Sequence, residues 1–290
     1  MRIRRLLPPV LIVGVLLASS ATASGAPEFH NYVALGDGYA SGPFIPVQLD
    51  NPTGCGRSNA NYPSLLAKKL GVASFTDVSC LYADTTYMTR PQSVPFDGTN
   101  NPQFDALKPA TDLVTLSIGG IDYGLMSSLF TDCPKLRAQD PTGNPCEKKH
   151  QNGGVDTALA AIAQIEPRVE TVLGGIHERS SGAHVVVVGY PRIFPANRTC
   201  PEILPFADGD YVWMRLVMQQ LNEALKDAAA NGDASFVDIA GQSQGHSVCA
   251  PGDAAWVNGK DDRPQDAKAF YPTKNGMAAT AEMIAKYLQN

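Results

Sequence analysis

The sequence predicts an α/β protein, built as a three-layer α/β/α sandwich around a parallel sheet. Strand-like apolar runs alternate along the chain with segments whose apolar residues recur at helical spacing. This alternation favours parallel strands joined by right-handed helical crossovers. One run, His184-Val185-Val186-Val187-Val188, is a continuous β-branched stretch of the kind that is buried on both faces of a parallel sheet.

The predicted elements follow one another without an internal repeat or a low-complexity linker. The longest predicted helix carries apolar residues three or four positions apart, as at Leu159, Ile162, Ile165 and Val169. Gly71 is placed to end the first helix. The predicted strands are 31–36, 74–79, 112–118, 184–191 and 235–238, and the predicted helices are 62–71, 155–179, 216–230 and 277–288.

Residues 1–26 match a secretory signal peptide. Met1–Arg5 supply a basic start, Leu6–Ala18 are mostly apolar, and Ala21-Thr22-Ala23 matches a cleavage site. The apolar stretch is too short to span a bilayer, and no other run in the chain approaches that length. We therefore predict a secreted, extracellular protein whose mature part, residues 27–290, forms a single domain.

Charge and length narrow the classes of function. The chain has 290 residues and a net charge of −5, and no basic cluster follows its N-terminus. Because nucleic-acid binding normally requires a basic patch, we do not expect a nucleic-acid partner. The length is sufficient for one substantial hydrophobic core. We expect a monomer without a transmembrane segment, whose partner is a small molecule.

Six cysteines in an exported chain predict disulfide bonds, because an oxidising compartment preserves them. The count allows many pairings, and the spacing alone does not choose among them. A zinc site is the competing interpretation, but the chain has no Cys-x-x-Cys pair and no clustered histidines. We therefore expect neither a metal nor another cofactor.

The most informative stretch follows the first predicted strand. The apolar run 32–35 breaks into Gly36-Asp37-Gly38, which indicates a sharp turn at the carboxyl end of a strand. Ligands of α/β proteins bind at that edge of the sheet. Further motifs, in chain order, are Cys55-Gly56-Arg57-Ser58, Asn61-Tyr62-Pro63, Val78-Ser79-Cys80, Ser117-Ile118-Gly119-Gly120, Gly189-Tyr190-Pro191, Gly245-His246-Ser247 and Pro272-Thr273.

In order and spacing, these motifs resemble those of the secreted SGNH (GDSL-type) hydrolases, which are ester hydrolases of actinobacteria and fungi. The resemblance covers essentially the whole mature chain, and it implies the SGNH-hydrolase fold with a flavodoxin-like parallel sheet. It also implies disulfides between sequence neighbours, which would pair Cys55 with Cys80, Cys133 with Cys146, and Cys200 with Cys249.

The same resemblance implies a serine nucleophile, a histidine base, and oxyanion donors that include a glycine amide and an asparagine side chain. In this sequence the serine position is Gly38, the glycine position is Tyr82, the asparagine position is Ile121 and the histidine position is Tyr271. The aspartate that often precedes the histidine by three residues is replaced by Lys268. Because removal of the nucleophile or the base alone costs on the order of 10⁶ in turnover, we predict that Ser-His ester hydrolysis has been lost.

Three residues could serve an unconventional hydrolase, and each has a simpler structural explanation. Ser41 fits a loop hydroxyl that bonds a turn amide, and Ser117 fits a strand-end residue packed in the sheet. His246 fits a loop histidine beside Cys249, since the similar family carries a Gly-His segment there without using it as the base. We favour the structural interpretation for all three.

The replacements predict a repurposed cleft. Two phenols and an aliphatic side chain, converging where an ester would bind, suit an apolar or aromatic small molecule. The cleft would bind such a molecule, or transform it without hydrolysis by isomerisation, elimination or cyclisation, with phenols as proton donors. The candidate catalytic residues are Tyr82, Tyr271 and Asp37, and the candidate binding residues are Gly38, Tyr39, Ile121, Asp122 and Tyr123.

Other interpretations remain open at this point. Asp37 and Asp122 are well explained as carboxylates that organise loop amides by accepting hydrogen bonds. The whole protein could be a lipase or esterase with an unconventional catalytic set. It could also be an inert scaffold or interaction protein whose cleft has been filled by bulky side chains.

Overall fold

A parallel five-stranded sheet forms the centre of the protein. The computed structural model describes residues 28–96 and 98–289, so the predicted signal peptide, 1–26, lies outside the described residues. The strands in chain order are β1 (Asn31–Gly36), β2 (Ser74–Asp77), β3 (Gln92–Val94), β4 (Gly98–Asn100), β5 (Leu113–Ser117), β6 (Gln151–Asn152), β7 (Val155–Asp156), β8 (His184–Val188) and β9 (Ser235–Val237). The central sheet has the order β2-β1-β5-β8-β9 with every neighbouring pair parallel. This is the predicted flavodoxin-like order, in which the second strand of the sheet lies outside the first.

Helices cover both faces of the sheet. They are α1 (Gly38–Ser41), α2 (Tyr62–Leu70), α3 (Leu125–Leu136), α4 (Pro145–His150), α5 (Thr157–Arg179), α6 (Asp210–Asn231), α7 (Ile239–Gln242) and α8 (Lys274–Leu288). The predictions for α2 and α5 are confirmed to within two residues. The predicted helix 216–230 in fact begins at Asp210, and the predicted helix 277–288 begins at Lys274, where Thr273 caps it. The sequence analysis did not predict α3 or α4.

Alternation along the strands divides the core into two layers. In β1, Val33 and Leu35 belong to the cluster that includes α5 and α6, whereas Tyr32 and Ala34 belong to the cluster that includes α2 and α8. The burial of both strand faces explains why β8 reads as an unbroken apolar run. The three-layer α/β/α prediction is therefore confirmed.

The end of β1 is held in place from two sides. The side chain of Gln103 accepts a hydrogen bond from the Gly36 amide at 2.7 Å and donates to the Gly36 carbonyl at 2.9 Å. The amide of Asp37 donates to the carbonyl of Ser117, the last residue of β5. Gly36 has φ +150°, and a Cβ there would lie 2.6 Å from the Ser117 carbonyl oxygen, so only glycine allows this close approach.

The three disulfides have the predicted pairing, Cys55–Cys80, Cys133–Cys146 and Cys200–Cys249. The first of them joins the loop after β2 to the loop before α2, and the Leu81 amide donates to the Cys55 carbonyl at 3.0 Å beside it. This bridge therefore fixes the segment that carries Tyr82. None of the helices within 28–96 and 98–289 is long and apolar enough to cross a membrane.

Candidate functional site

The candidate site lies where β1 turns into α1. The Asp37 carboxylate accepts a hydrogen bond from the Tyr39 amide at 2.8 Å and so caps this short helix. Gly38, the position that the resemblance gives to the nucleophile, is the first residue of α1. It therefore lies at the carboxyl edge of the sheet, the edge at which α/β proteins place their chemistry.

The ring of Tyr271 covers Gly38. A Cβ built on Gly38 would overlap the Tyr271 ring, and it would also lie 2.8 Å from Leu81 Cδ1. Tyr271 itself is only 8% exposed and packs against Tyr39 with ring centroids 5.4 Å apart. A serine therefore has no room at position 38 while Tyr271 holds this position. The residues at the two positions that the resemblance gives to the nucleophile and the base are therefore packed against each other.

Tyr82 occupies the position expected for glycine and retains a conformation typical of glycine. Its φ is +64°, in the left-handed region that most residues avoid. Its ring is 47% exposed and contacts Tyr271 edge-on at 6.4 Å. The amides of Tyr82 and Gly38 donate no hydrogen bond to another described residue. The backbone donors at these two positions thus remain available.

Four of the predicted residues line one cavity of about 230 Å³. Tyr39, Tyr82, Ile121 and Tyr271 form part of its wall. The structure therefore brings together the residues at three of the four replaced positions, with Tyr39 beside them. Gly38 does not line the cavity, because the Tyr271 ring lies between them. The remaining wall is mostly apolar and includes Met126, Phe130 and Phe270.

Two phenols of this cavity, Tyr39 and Tyr271, are neutral hydrogen-bond donors. Burial raises the pKa of Tyr39 and of Tyr271 well above the ordinary value for tyrosine. The Tyr39 hydroxyl is already used, since it donates to the Phe270 carbonyl at 2.7 Å. The Tyr271 hydroxyl has no hydrogen-bond partner among residues 28–96 and 98–289. The Tyr82 hydroxyl, in the same cavity wall, also has no partner among these residues.

Asp37 lies beneath the cavity and does not line it. Its carboxylate is 1% exposed and accepts a hydrogen bond from the Tyr190 hydroxyl at 2.6 Å. That hydroxyl in turn accepts from the Gly120 amide at 2.8 Å. Burial raises the pKa of Asp37 to about 7, although the bonds from Tyr190 and the Tyr39 amide oppose the rise. This chain of hydrogen bonds ties together the ends of β1, β5 and β8.

Asp122 and Tyr123 do not line the cavity either. Asp122 is buried, accepts a hydrogen bond from the Thr85 amide at 3.0 Å, and lies 3.4 Å from Nη1 of Arg168. Burial raises the pKa of Asp122, and the bonds from Thr85 oppose this rise. The Tyr123 hydroxyl accepts from Arg168 Nε at 2.8 Å, and the guanidinium stacks on the ring at 4.4 Å. Both residues hold the turn before α3 against α5.

The other candidates for a nucleophile or a base, Ser41, Ser117 and His246, lie in surroundings that do not suit catalysis. Ser41 is fully buried and Ser117 is nearly so, so neither hydroxyl can meet a substrate. The Ser41 hydroxyl has no hydrogen-bond partner among residues 28–96 and 98–289, so the prediction that it bonds a turn amide is wrong. His246 stacks on Trp256 at 4.1 Å, and its Nδ1 lies 2.7 Å from the Ala254 carbonyl. The one hydrogen bond between a serine and a histidine side chain in the described part of the chain pairs Ser235 with His184, at the first residues of β9 and β8. That pair lies at the opposite edge of the sheet.

Sequence reasoning missed the part of the wall that α3 supplies. Met126 and Phe130 are four residues apart, and Leu125, Leu129 and Cys133 continue the same helical spacing. That signal was present, but Gly124 before the segment and Pro134 within it obscured the helix. Tyr190 was recognised only as part of a Gly-Tyr-Pro motif. Its bond to Asp37 joins residues far apart in the chain, and no local pattern indicates it.

Comparison with known proteins gives consistent matches. A family model described as the GDSL-like lipase/acylhydrolase family matches residues 34–279. The chain is 37% identical over 244 residues to a protein named Lipase 2 from Streptomyces coelicolor, which covers 83% of this chain and 79% of that protein. It is 27% identical over 262 residues to a protein named Lipase from Streptomyces rimosus, covering 90% of this chain and 87% of the other. Among solved structures, phospholipase A1 from Streptomyces albidoflavus matches with a TM-score of 0.73 and 26% identity, covering 90% of this chain and all of that one.

Proposed function

This chain belongs to the GDSL-like lipase/acylhydrolase family, and we propose that its former catalytic cleft binds a small apolar or aromatic molecule without Ser-His ester hydrolysis. One observation carries this proposal. The Tyr271 ring covers Gly38, so the position that would carry the nucleophile has neither a hydroxyl nor room for one. Tyr271, at the position of the base, fills the space that a serine at position 38 would need. This arrangement is expected when a cleft has changed its role.

The size and lining of the cavity define the ligand class. At about 230 Å³, the cavity is smaller than the roughly 300–1,000 Å³ typical of sites for drug-sized molecules. It suits one substituted aromatic ring or a short acyl group. Aromatic and aliphatic side chains would contact the body of the ligand, and the Tyr271 hydroxyl would donate to one polar atom.

Binding can be tested with two probes that differ in a carbonyl group. Acetophenone offers the Tyr271 hydroxyl an acceptor, whereas toluene does not. We expect Tyr271→Phe to weaken acetophenone binding by roughly 3- to 10-fold, the value of about one neutral hydrogen bond, and to leave toluene binding unchanged. Ligand-observed NMR titration would measure both affinities.

Two further variants make the assignment specific. Ile121→Trp should abolish binding of both probes by filling the cavity, whereas Tyr123→Phe, outside the cavity, should change neither affinity. Equal binding of both probes to the wild type and to Ile121→Trp would refute the proposed site. If no probe binds and no variant changes any ligand or activity, the inert scaffold becomes the better explanation.

A transformation without hydrolysis would depend on the same phenols. We propose Tyr271, and secondarily Tyr82, as its proton donors, since a positioned acid contributes typically 10²–10⁴-fold to a rate. Asp37 would act as a positioning residue through Tyr190 and Tyr39, because its carboxylate does not line the cavity. Tyr82→Phe and Tyr271→Phe should then reduce turnover by at least 10²-fold, whereas a pure binder would lose no more than the roughly 3- to 10-fold in affinity expected for one hydrogen bond.

Ester hydrolysis with an unconventional catalytic set is the second candidate function. It is favoured by the named lipases among the relatives and by the unbonded amides of Gly38 and Tyr82, which could hold an oxyanion. A fluorophosphonate probe and a p-nitrophenyl butyrate assay separate the two functions. We expect no saturable labelling and background hydrolysis. Labelling of the mature protein at one serine would establish the second candidate and overturn the first.

We further propose that the protein acts outside the cell as a monomer. The disulfides are consistent with an extracellular location, and the named relatives are lipases of Streptomyces. Mass spectrometry of the protein from its own culture medium would test both points. The proposal requires a mature chain that begins near residue 27 and a particle of one chain.

A further inference from the structure

A second cavity lies beyond β8 and β9, at the same edge of the sheet. It has a volume of about 600 Å³ and shares no lining residue with the Tyr271 cavity. Its walls are the segment 191–196 after β8, the turn 238–241 after β9, and one face of α6. Its volume falls within the range typical of small-molecule sites.

Two arginines line this cavity without a carboxylate partner among the described residues. Nε of Arg192 is buried and has no hydrogen-bond acceptor. Arg215 donates from Nη1 to the Pro195 carbonyl at 3.1 Å and forms no ion pair. Guanidinium groups stay charged under all ordinary conditions and offer a planar fork of donors. An acceptor with several oxygens would satisfy these donors.

Each acidic residue of this wall contacts another residue that lines the same cavity. Glu223 lies 3.7 Å from Lys226, one turn further along α6. The Asp238 carboxylate accepts from the Gly241 amide at 2.8 Å and caps α7. Neither carboxylate is paired with Arg192 or Arg215. Lys226 also lines the cavity, so three cationic side chains face two carboxylates and leave an excess of one positive charge, although the whole chain has a net charge of −5.

Part of the remaining wall is apolar, beside the polar side chains of Gln219, Asn222 and Lys226. Ile193, Phe194 and Met218 are buried core residues, and Phe236 is partly buried beside them. A ligand that contacts both kinds of surface must therefore combine an anionic group with an apolar body. A simple inorganic anion would leave the apolar part of the wall unused.

We propose that this cavity is a second binding site, specific for an organic oxyanion with an apolar body, held by Arg192 and Arg215. Carboxylate and phosphate share the oxygen geometry that a guanidinium fork binds in bidentate fashion. The apolar body would lie against Met218 and Phe236. This site is independent of the proposed Tyr271 cavity, since the two have no wall residue in common.

The test uses decanoate, decyl phosphate and decanol as probes, titrated into the mature protein by calorimetry. We expect one saturable site for decanoate or decyl phosphate, and at least 10-fold weaker binding of decanol. The tighter of the two anions identifies the headgroup, a carboxylate or a phosphate. Arg192→Gln combined with Arg215→Gln should weaken anion binding at least 10-fold, because charge-assisted hydrogen bonds are the stronger class.

Matched controls separate this site from the other cavity. Arg90→Gln removes the same charge from an exposed position and should leave the affinity unchanged, as should Ile121→Trp. Met218→Trp, which fills the apolar wall without touching a charge, is the second variant and should also abolish binding. Unchanged affinity in both the arginine variant and Met218→Trp would overturn the proposal. Loss of anion binding only in Ile121→Trp would overturn it too, because that result would place the ligand in the Tyr271 cavity.

Discussion

Gly38→Ser alone is expected to destabilise the protein without producing esterase activity. The new Cβ would overlap the Tyr271 ring and approach Leu81 Cδ1. Overpacking of a well-filled site costs about 1–3 kcal/mol, which corresponds to a fall of roughly 3–10 °C in Tm for a chain of this size. Thermal unfolding followed by circular dichroism measures the shift. Gly182→Ser is the matched control, because a Cβ there meets nothing within 4 Å.

Replacement of Tyr271 should reverse part of the loss of stability caused by Gly38→Ser. In Tyr271→His the smaller ring removes most of the overlap, so Gly38→Ser should cost less in that background than in the wild type. Such a coupling between two neighbouring positions is measured by a double-mutant cycle. Additive effects of the two substitutions on the unfolding free energy would contradict the coupling between positions 38 and 271 that the packing predicts.

Adding Ile121→Asn completes the reconstruction of the site. Gly38→Ser with Tyr271→His should supply a nucleophile and its base, and the asparagine should supply an oxyanion donor worth roughly 10²–10³. We expect the triple variant to hydrolyse p-nitrophenyl butyrate at least 10²-fold faster than the wild type and to be labelled by a fluorophosphonate at residue 38. Activity of the same size in the wild type would show that hydrolysis had not been lost.

Some features of this site can be predicted from the sequence, and others arise only in the folded protein. The positions of Gly38, Tyr82, Ile121 and Tyr271 are readable from their flanking motifs, since flanks and spacing survive when single letters change. The contact between Tyr271 and Gly38 is not readable, because it arises only when the last loop folds back over β1. The sequence therefore indicated four separate replacements, whereas in the structure Tyr271 and Gly38 form one packed pair and Tyr82 has a backbone conformation typical of glycine.

Side-chain direction was the other limit of the sequence analysis. Asp122 and Tyr123 adjoin Ile121 in the chain, and proximity alone placed them in the predicted pocket. Tyr123 has a φ of +53°, which changes the direction of the chain after Ile121. Arg168 of α5 then binds both side chains. By contrast, regular periodicity predicted α5 and β8 well, because long apolar patterns leave few alternatives.

Asp37→Asn is expected to remove the contribution of Asp37 to a fall in stability that the wild type shows between about pH 4 and pH 7. The unfolded carboxyl group ionises with an ordinary pKa near 3.8, whereas burial raises the folded pKa to about 7. Between these values the unfolded state gives up its proton and the folded state keeps it, so the free energy of unfolding decreases as pH rises. Three pKa units correspond to about 4 kcal/mol, an upper bound for this single group.

The measurement is the difference in unfolding free energy between Asp37→Asn and the wild type, obtained by urea titration from pH 4 to pH 8. Taking a difference cancels the buried carboxylates that both proteins share, such as Asp77 and Asp122. At pH 4 the variant should be about as stable as the wild type, because the amide, like the neutral carboxyl group, can accept from the Tyr39 amide and donate to the Tyr190 hydroxyl. The difference should then move in favour of the variant as pH rises, levelling above pH 7.

Asp50→Asn, at an exposed position, should give a difference that stays within about 0.5 kcal/mol. If the unfolding free energies of Asp37→Asn and the wild type change in parallel with pH, Asp37 is ionised in the folded protein at pH 5. The hydrogen bonds from Gly120 to Tyr190 and from Tyr190 to Asp37 would then hold a charged carboxylate.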